Sequence, residues 1–516
     1  MLFNSYFFIL VFMPATLVVF FWLGRHRERR GAVAWLVAMS LFFYGWWNPA
    51  YLGLIIASIL LNYTVGTVLV NRQRRDSIRR VAFAGGIVVN LSALGYYKYT
   101  GFLFANINAA LGTGFNIGTT ILPLGISFFT FTQIAYLVDA YRGEAGEYNL
   151  LDYMLFVTYF PHLIAGPILH HKEMMPQFGQ QSVYRFDIVN FVAGVTYFVF
   201  GLFKKVIFAD GIGRFAGPVF SAASQNAHLS TVDAWGGVLS YTFQLYFDFS
   251  GYCDMAIGLA LMMGIRLPLN FNSPYKACNI IDFWRRWHMT LSRFLRDYVY
   301  FSLGGNRQGR MRRYFNLFVT MLLGGLWHGA GWPFLIWGGL HGMFLAVNHA
   351  WQAFRRHLGL PPESTSVFGR ALAKLVTFMA VVVGWVFFRA ETLEAARRLL
   401  DSMFVYRPGG LSPFYVSVIS DASVARWMQL VVFDTIPELV LLAALAVLAG
   451  VAFYAPNTQE IMGRYYWQPN KSEYSLPSPN GPLWRPSRIW AFGVAVAAVW
   501  ALLGMTQVSE FLYFQF

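Results

Sequence analysis

Charged residues are scarce in this chain. Only 12% of its 516 residues are charged, whereas 57% are hydrophobic and 18% are aromatic. An average soluble domain carries about 25% charged residues. Because so little polar surface cannot shield this much apolar surface from water, the composition indicates an integral membrane protein. Spanning segments must satisfy their own backbone hydrogen bonds, so we expect an all-α, polytopic helix bundle.

Cysteine is also scarce, with only Cys253 and Cys278 present. Neither belongs to a CxxC pair, so the sequence predicts no disulfide framework, and both are interpreted as small packing residues. The sequence has no HExxH motif, no zinc-type Cys/His spacing and no dense carboxylate cluster, so we expect no metal site. A Gly-x-Ser-x-Gly nucleophile elbow and a phosphate-binding glycine loop are absent as well.

The net charge of +15 is concentrated in short clusters between apolar runs. This pattern is typical of membrane topology rather than of nucleic-acid binding. We therefore expect the lipid bilayer, and not nucleic acid, as a partner. Arginines fill the loops at 25–30 and 72–80, whereas the turn at Asn48-Pro49 has none. By the positive-inside rule those loops are cytoplasmic, and the N-terminus lies on the opposite side. Met1–Leu23 has no basic leader and is interpreted as a retained first span.

A series of apolar runs approaches the roughly 20 residues that a spanning helix needs. The shorter runs are interpreted as re-entrant or interfacial helices. The runs are about Tyr6–Leu23, Ala32–Trp47, Tyr51–Val70, Val81–Tyr97, Ile121–Val138, Leu150–Leu169, Phe186–Phe208, Trp235–Met263, Tyr314–Leu326, Pro333–Ala350, Leu372–Phe388, Val431–Tyr454 and Ile489–Met505.

The arginine-rich stretch 279–313 interrupts this apolar rhythm. On one helix over Asp282–Tyr300, an aromatic stripe lies beside a polar stripe. The polar stripe contains Arg285, His288, Ser292 and Arg296. We expect such a helix to present His288 at the border of the two stripes. The alternative is an interfacial helix whose arginines only snorkel to the membrane surface.

A second interruption follows at Gly324–Pro333, where four glycines and a proline in ten residues weaken the helix. Broken backbone at membrane depth is tolerated only inside protein or beside a cavity, and ionisable groups there are functional candidates. His328 lies at the centre of this break. His341 follows on the next run and can equally be a structural hydrogen-bonding group. For His162 and the His170-His171 pair the structural interpretation is favoured.

The segments around both histidines read Arg286-Trp287-His288-Met289-Thr290-Leu291-Ser292 and Gly325-Leu326-Trp327-His328-Gly329. These two segments resemble the membrane-bound O-acyltransferase family. Ala165–Pro167, Gln244–Tyr252 and Leu267–Tyr275 are similar to further family segments. Trp385–Ala390 and Tyr513–Phe516 resemble the alginate O-acetylation subgroup in particular. The resemblance covers essentially the whole chain, and the combination is specific although either histidine motif alone is not.

The resemblance implies a bundle around a funnel or tunnel. It implies a single membrane domain over 1–516, with an acyltransferase core at 120–350 and C-terminal helices and a loop at 351–516. The family's invariant histidine matches His328, and a second conserved polar position matches His288. Trp327, Ser292, Asn270 and His341 are expected to line or support the tunnel. Arg285 and Arg296 are expected to bind the phosphates of the donor.

The activity implied is O-acyl transfer, with acetyl-coenzyme A or another acyl thioester as donor substrate and no bound cofactor. His328 would be the general base or a transient acyl carrier, and His288 would orient or polarise. The acetyl group would cross a bacterial inner membrane to periplasmic acetyltransferase partner proteins that modify an exopolysaccharide, first alginate and then cellulose. The N-terminus would then be periplasmic.

Two alternatives of another class remain open from the sequence. Broken helices and buried histidines also suit a transporter or channel for a polar solute. The chain can also be a structural subunit of a polysaccharide assembly. The two histidine motifs favour the enzyme, and no internal repeat of the transporter kind is visible.

Overall fold

The computed structural model describes residues 1–26, 28–115, 118, 121–146, 148–410, 437–465, 483–505 and 512. Within these residues every regular element is a helix, which confirms the all-α expectation. The Tyr513–Phe516 motif and the first residues of the Val431–Tyr454 run lie outside the described residues.

The described chain divides into two compact units. The first comprises Met1–Leu202, Gly251–Asn270 and the described part of Thr458–Gln515. Its α-helices are Met13–Arg25, Arg29–Gly45, Tyr51–Val70, Asp76–Leu94, Thr100–Leu111, Ile126–Arg142, Leu150–Thr158, Phe160–Leu163, His171–Phe178, Ile188–Phe203, Thr458–Met462 and Arg488–Gly504. Short π-helical segments, Phe8–Phe12 and Gly95–Tyr99, continue into two of these helices.

The second unit comprises Phe203–Ser250 and Phe271–Asn457 within the described ranges. Its α-helices are Asp210–Ser224, Ile280–Arg286, Met289–Phe294, Gly309–His328, Trp332–His357, Val367–Arg389, Leu393–Phe404 and Pro437–Phe453. Lys204–Ala209 and Leu295–Tyr300 are π-helical. The long helix Thr231–Met262 contributes residues to both units.

Several helices confirm the multi-pass membrane character. In the described part of the chain, five helical stretches are long and apolar enough to cross a membrane. They are Phe8–Arg25, Tyr51–Val70, Asp76–Leu111, Ile188–Ser224 and Val367–Arg389. Leu439–Phe453 and Arg488–Gly504 are apolar but shorter. The chain is therefore a multi-pass membrane protein.

The apolar run Leu150–Leu169 is not one helix. Asn149 accepts a hydrogen bond from the Asp152 backbone N–H and begins the helix Leu150–Thr158. This helix ends at Tyr159, whose ψ of 107° is not helical. Pro161 then stands in the first turn of the next short helix, where its missing N–H leaves no hydrogen bond broken. Hydrophobicity alone could not locate this break.

Candidate active site

His288 interrupts the helix that the sequence pattern predicted over Asp282–Tyr300. That prediction is wrong, because the helix Ile280–Arg286 ends before His288 and Met289–Phe294 begins after it. His288 has φ 44° and ψ 53°, in the left-handed region. This conformation costs a side-chain-bearing residue about 1–2 kcal/mol and persists only where the surroundings fix it.

Ser292 helps to hold this kink. Its backbone N–H donates to the His288 carbonyl at 3.0 Å. Its hydroxyl donates to the Trp287 carbonyl at 3.4 Å. The polar stripe predicted from the sequence therefore contains one residue that supports His288 through the backbone.

His328 is the last residue of the helix Gly309–His328. The backbone break lies after it, because Gly324 and Gly325 are helical and the chain is extended at Gly329 and Gly331. Gly325 serves helix packing instead of breaking the helix. A Cβ on Gly325 would lie 2.3 Å from the carbonyl oxygen of Phe334, at the start of the next helix.

The structure brings the two predicted histidines together. Their ring centroids are 6.3 Å apart. Both are buried, with 0% of His288 and 4% of His328 exposed. The ring of Trp327 lies 6.0 Å from that of His288 and 4.8 Å from that of His328. Trp327 therefore contacts both imidazoles.

Three further aromatic residues surround the pair. Phe249 meets His288 edge to face at 4.9 Å. Trp337 and Phe388 meet His328 edge to face at 5.0 Å and 5.1 Å. No sequence pattern singled out these three aromatic residues. Phe249 and Phe388 lie in segments that resemble the family, but in a chain with 18% aromatic residues nothing distinguished them from lipid-facing rings.

His341 lies behind Trp337. Its Nδ1 accepts a hydrogen bond from Trp284 Nε1 at 3.2 Å, and its ring lies 4.9 Å from that of Trp337. A Cβ on Gly384 would lie 2.9 Å from His341 Nε2, so the helix that carries Gly384 packs closely against this imidazole. His341 thus contacts the ring that contacts His328.

The remaining predicted site residues have other surroundings. Asn270 belongs to the first unit, where its amide donates to the Cys253 sulfur at 3.3 Å. Arg296 forms a two-point contact with Asp297, at 2.7 Å and 3.2 Å. Arg285 is exposed. The Asp297 carboxylate pairs with Arg296, so donor phosphates would have to compete with this carboxylate for the guanidinium.

This arrangement suits acyl transfer. An imidazole is the side chain that exchanges a proton most readily near neutral pH, and a second imidazole can hydrogen-bond the reacting groups. The aromatic shell excludes water, which would otherwise hydrolyse an activated acyl group. Within the described ranges, no group of three or more His, Cys, Asp or Glu residues could hold a metal ion.

Comparisons with known proteins point to the same chemistry. Residues 119–384 match the model of the membrane-bound O-acyltransferase family. The chain is 45% identical to a peptidoglycan O-acetyltransferase from Helicobacter pylori, over 78% of this chain and 80% of the relative. It is 43% identical to a probable alginate O-acetylase from Pseudomonas aeruginosa, over 80% and 76%.

A more distant relative is the teichoic acid D-alanyltransferase from Streptococcus thermophilus, which is 29% identical over 51% of this chain and 68% of the relative. The family assignment favours an enzyme over a transporter or a scaffold. The chain belongs to the membrane-bound O-acyltransferase family, and it is an O-acyltransferase.

Proposed function

We propose that this enzyme takes an acetyl group from a cytoplasmic acyl thioester and passes it across the inner membrane for O-acetylation of an exopolysaccharide. The observation that carries the proposal is the His288–His328 pair, 6.3 Å apart inside a shell of aromatic rings. Alginate is the first candidate acceptor, because the Pseudomonas aeruginosa relative is named as an alginate O-acetylase. Cellulose is the next candidate from the sequence resemblance.

Peptidoglycan is a further candidate acceptor for a specific reason. The Helicobacter pylori relative, named as a peptidoglycan O-acetyltransferase, has 45% identity to this chain. All three polymers carry sugar hydroxyls, so the acetyl group delivered to the partner acetyltransferases forms the same kind of ester on each. The acceptor must then be identified by analysis of the acetylated polymer.

His328 acts as the general base in this proposal. It removes the proton of an acceptor hydroxyl, and the oxygen attacks the thioester carbonyl. The new C–O bond forms, the C–S bond breaks, and the sulfur takes the proton from His328 and leaves as a thiol, which returns the imidazole to its neutral form. A transient acyl-His328 is the covalent variant of the same route. His288 orients or polarises the reacting carbonyl.

The other predicted residues act around this step. Trp327 walls the site, His341 positions Trp337, and Ser292 holds the kink at His288. Asn270 supports the tunnel, and Arg285 with Arg296 contributes to donor binding at the cytoplasmic side. The acyltransferase core extends over 120–350, with the C-terminal helices and loop at 351–516 in the same membrane domain.

The acetyl group leaves on the periplasmic side, where partner acetyltransferases place it on the polymer. This direction rests on the arginine-rich loops at 25–30 and 72–80, which the positive-inside rule assigns to the cytoplasm. The N-terminus is then periplasmic. An N-terminal epitope should accordingly be accessible in intact spheroplasts, and an epitope that appears only after permeabilisation contradicts this orientation.

The experiment for the acceptor compares a deletion strain with the same strain carrying the gene on a plasmid. Ester-linked acetate is measured separately on alginate, cellulose and peptidoglycan from each culture. We expect acetate to fall on one extracellular polymer and to return with the plasmid. Loss on alginate, on cellulose or on peptidoglycan identifies that polymer as the acceptor. Unchanged acetate on all three polymers contradicts the proposal.

A further inference from the structure

The first unit contains a polar cavity. Its lining residues lie between positions 63 and 148 of the sequence, well before His288 and His328. The cavity has a volume of about 320 Å³. The residues that matter here are Tyr63, Thr67, Asn71, Arg74, Tyr136 and Tyr148. The candidate membrane span Tyr51–Val70 ends directly before Asn71, so this wall of the cavity lies where a span meets the lipid headgroups.

One wall of the cavity is connected to a buried histidine and carboxylate. The Tyr148 hydroxyl lies 3.0 Å from His171 Nδ1, and His171 Nε2 lies 3.1 Å from Asp139 Oδ2. The side chains of His171 and Asp139 are 1% and 5% exposed. The Tyr148–His171–Asp139 chain is therefore fixed within the protein.

The chemistry of these groups sets the direction of the hydrogen bonds. An ionised carboxylate only accepts, so His171 Nε2 carries the proton that is donated to Asp139. When the His171 ring is neutral, Nδ1 accepts and the Tyr148 hydroxyl donates to it. Burial and the nearby Asp139 carboxylate raise the pKa of Tyr148, so the phenol keeps its proton. The Tyr148 oxygen retains lone pairs for one more donor.

The walls of the cavity are held in place. The Tyr63 hydroxyl donates to the Tyr148 backbone carbonyl at 3.1 Å. A Cβ on Gly66 would lie 2.5 Å from the Tyr136 hydroxyl oxygen, so only glycine lets Tyr136 pack directly against this helix. The cavity is thus formed by side chains whose positions are determined by their neighbours.

Arg74 gives the cavity its positive charge. Two nearby arginines bind backbone carbonyl groups instead: Arg72 donates to the Gly143 carbonyl at 3.2 Å, and Arg79 donates to the Tyr141 carbonyl at 3.0 Å. In the described part of the chain, no hydrogen bond or ion pair involves the Arg74 guanidinium, and this side chain lines the cavity. The side-chain amide oxygen Oδ1 of Asn71 accepts a hydrogen bond from the Gln73 backbone N–H at 3.0 Å.

We propose that this cavity binds a phosphate ester of a polyol. The Arg74 guanidinium binds the phosphate, and the Tyr148 oxygen accepts a hydrogen bond from a hydroxyl of the polyol. A glycerol-bearing phospholipid headgroup and soluble glycerol phosphate share this chemistry. The volume suits a group of that size, since small-ligand sites begin at about 300 Å³. The site requires none of the residues of acyl transfer and extends beyond the proposed function.

Binding is tested with the full-length protein in nanodiscs of phosphatidylcholine. One arm adds phosphatidylglycerol or phosphatidic acid and measures bound lipid by native mass spectrometry. The other arm titrates glycerol 3-phosphate into discs without anionic lipid. Both arms compare the parent protein with Arg74→Gln, Tyr148→Phe and the control Arg75→Gln, which removes the same charge from the adjacent position. Thermal unfolding verifies that each variant is folded.

We expect Arg74→Gln to weaken binding about tenfold, as for the loss of one charge-assisted hydrogen bond. Arg75→Gln should change it less than about twofold, as for a screened surface charge. Tyr148→Phe should reduce the preference for phosphatidylglycerol over phosphatidic acid, which lacks the glycerol hydroxyls. Binding in the lipid arm alone identifies a headgroup as the ligand, and binding in the soluble arm identifies a free phosphate ester.

Three results would contradict the proposal or part of it. If neither arm shows binding to the parent protein, the cavity is not a phosphate site. If Arg74→Gln and Arg75→Gln weaken binding equally, the effect is that of general surface charge. An unchanged lipid preference in a folded Tyr148→Phe variant removes the hydroxyl contact from the proposal. Because no acyl donor is present, these results do not depend on the proposed acetyl transfer.

Discussion

His288 holds a backbone conformation that few side chains adopt. Its φ of 44° places the imidazole between two short helices, where it meets Phe249 and lies 6.3 Å from His328. A continuous helix would have directed this side chain along a helical face instead. The kink is therefore the local feature that brings the second histidine to the first.

This conformation gives a prediction that distinguishes the effect of the backbone conformation on stability from the effect of the imidazole on activity. His288→Gly and His288→Ala both remove the imidazole, and both should abolish acyl transfer. Glycine adopts the left-handed region without the Cβ clash, so His288→Gly should be more stable than His288→Ala by about 1 kcal/mol. Unfolding in detergent together with ester-linked acetate in cells measures both effects. Equal stability of the two variants argues against a left-handed residue at this position.

The sequence identified the polar residues of the candidate site but did not identify the apolar residues that surround them. His328 and His288 stood out because ionisable side chains are rare in apolar surroundings. Phe249, Trp337 and Phe388 did not stand out, since a ring in contact with an imidazole and a ring in contact with lipid have the same sequence signal. Their contribution depends on tertiary packing, which no local pattern records.

At the scale of elements, two helices determine the position of His328. Gly309–His328 and Trp332–His357 approach so closely that a Cβ on Gly338 would lie 2.4 Å from the Met321 carbonyl oxygen. Gly325 makes the equivalent approach from the other helix, because a Cβ at this position would lie 2.3 Å from the Phe334 carbonyl oxygen. Small residues at such contacts are typical of helix pairs in membranes.

The close approach predicts a strong position dependence of alanine substitution. Gly325→Ala should destabilise the protein by about 1–3 kcal/mol, because backbone atoms must move to admit the methyl group. Gly339→Ala is the matched control, since the atoms nearest to its Cβ are 3.7 Å away on the Phe318 ring. That variant should be neutral or slightly stabilised through helix propensity. Similar melting temperatures for both variants would contradict the tight helix contact.

Helices with a long, uninterrupted apolar run could be predicted from the sequence, whereas a break inside a periodic stretch could not. The run Tyr51–Val70 was predicted with the bounds that the structure shows. The stretch Asp282–Tyr300 was predicted as one helix because its periodicity fits 100° per residue on both sides of the kink. A single left-handed residue does not disturb that periodicity, so the sequence could not reveal it.

At the scale of the whole molecule, composition alone predicted the class. A chain with 12% charged residues and several long apolar helices belongs in a membrane, and the structure agrees. The cavity beside Tyr148 was not predictable in the same way. Its residues come from 63–74, 136 and 148, with His171 further along the chain. No local motif unites them, and His171 was interpreted from the sequence as structural.

In the proposed function, acyl transfer depends on His328 as the general base. The most direct test of this role is the ester-linked acetate on the acceptor polymer in cells that express His328→Ala, normalised to the amount of protein in the membrane. His228→Ala is the control, because this histidine is exposed between two helices. We predict that His328→Ala, at normal abundance, lowers acetate to the level of the deletion strain, as expected for a general base worth about 10²–10⁴ in rate. His228→Ala should leave acetate unchanged. Acetate retained in the His328→Ala strain would contradict the proposed role of His328 in acyl transfer.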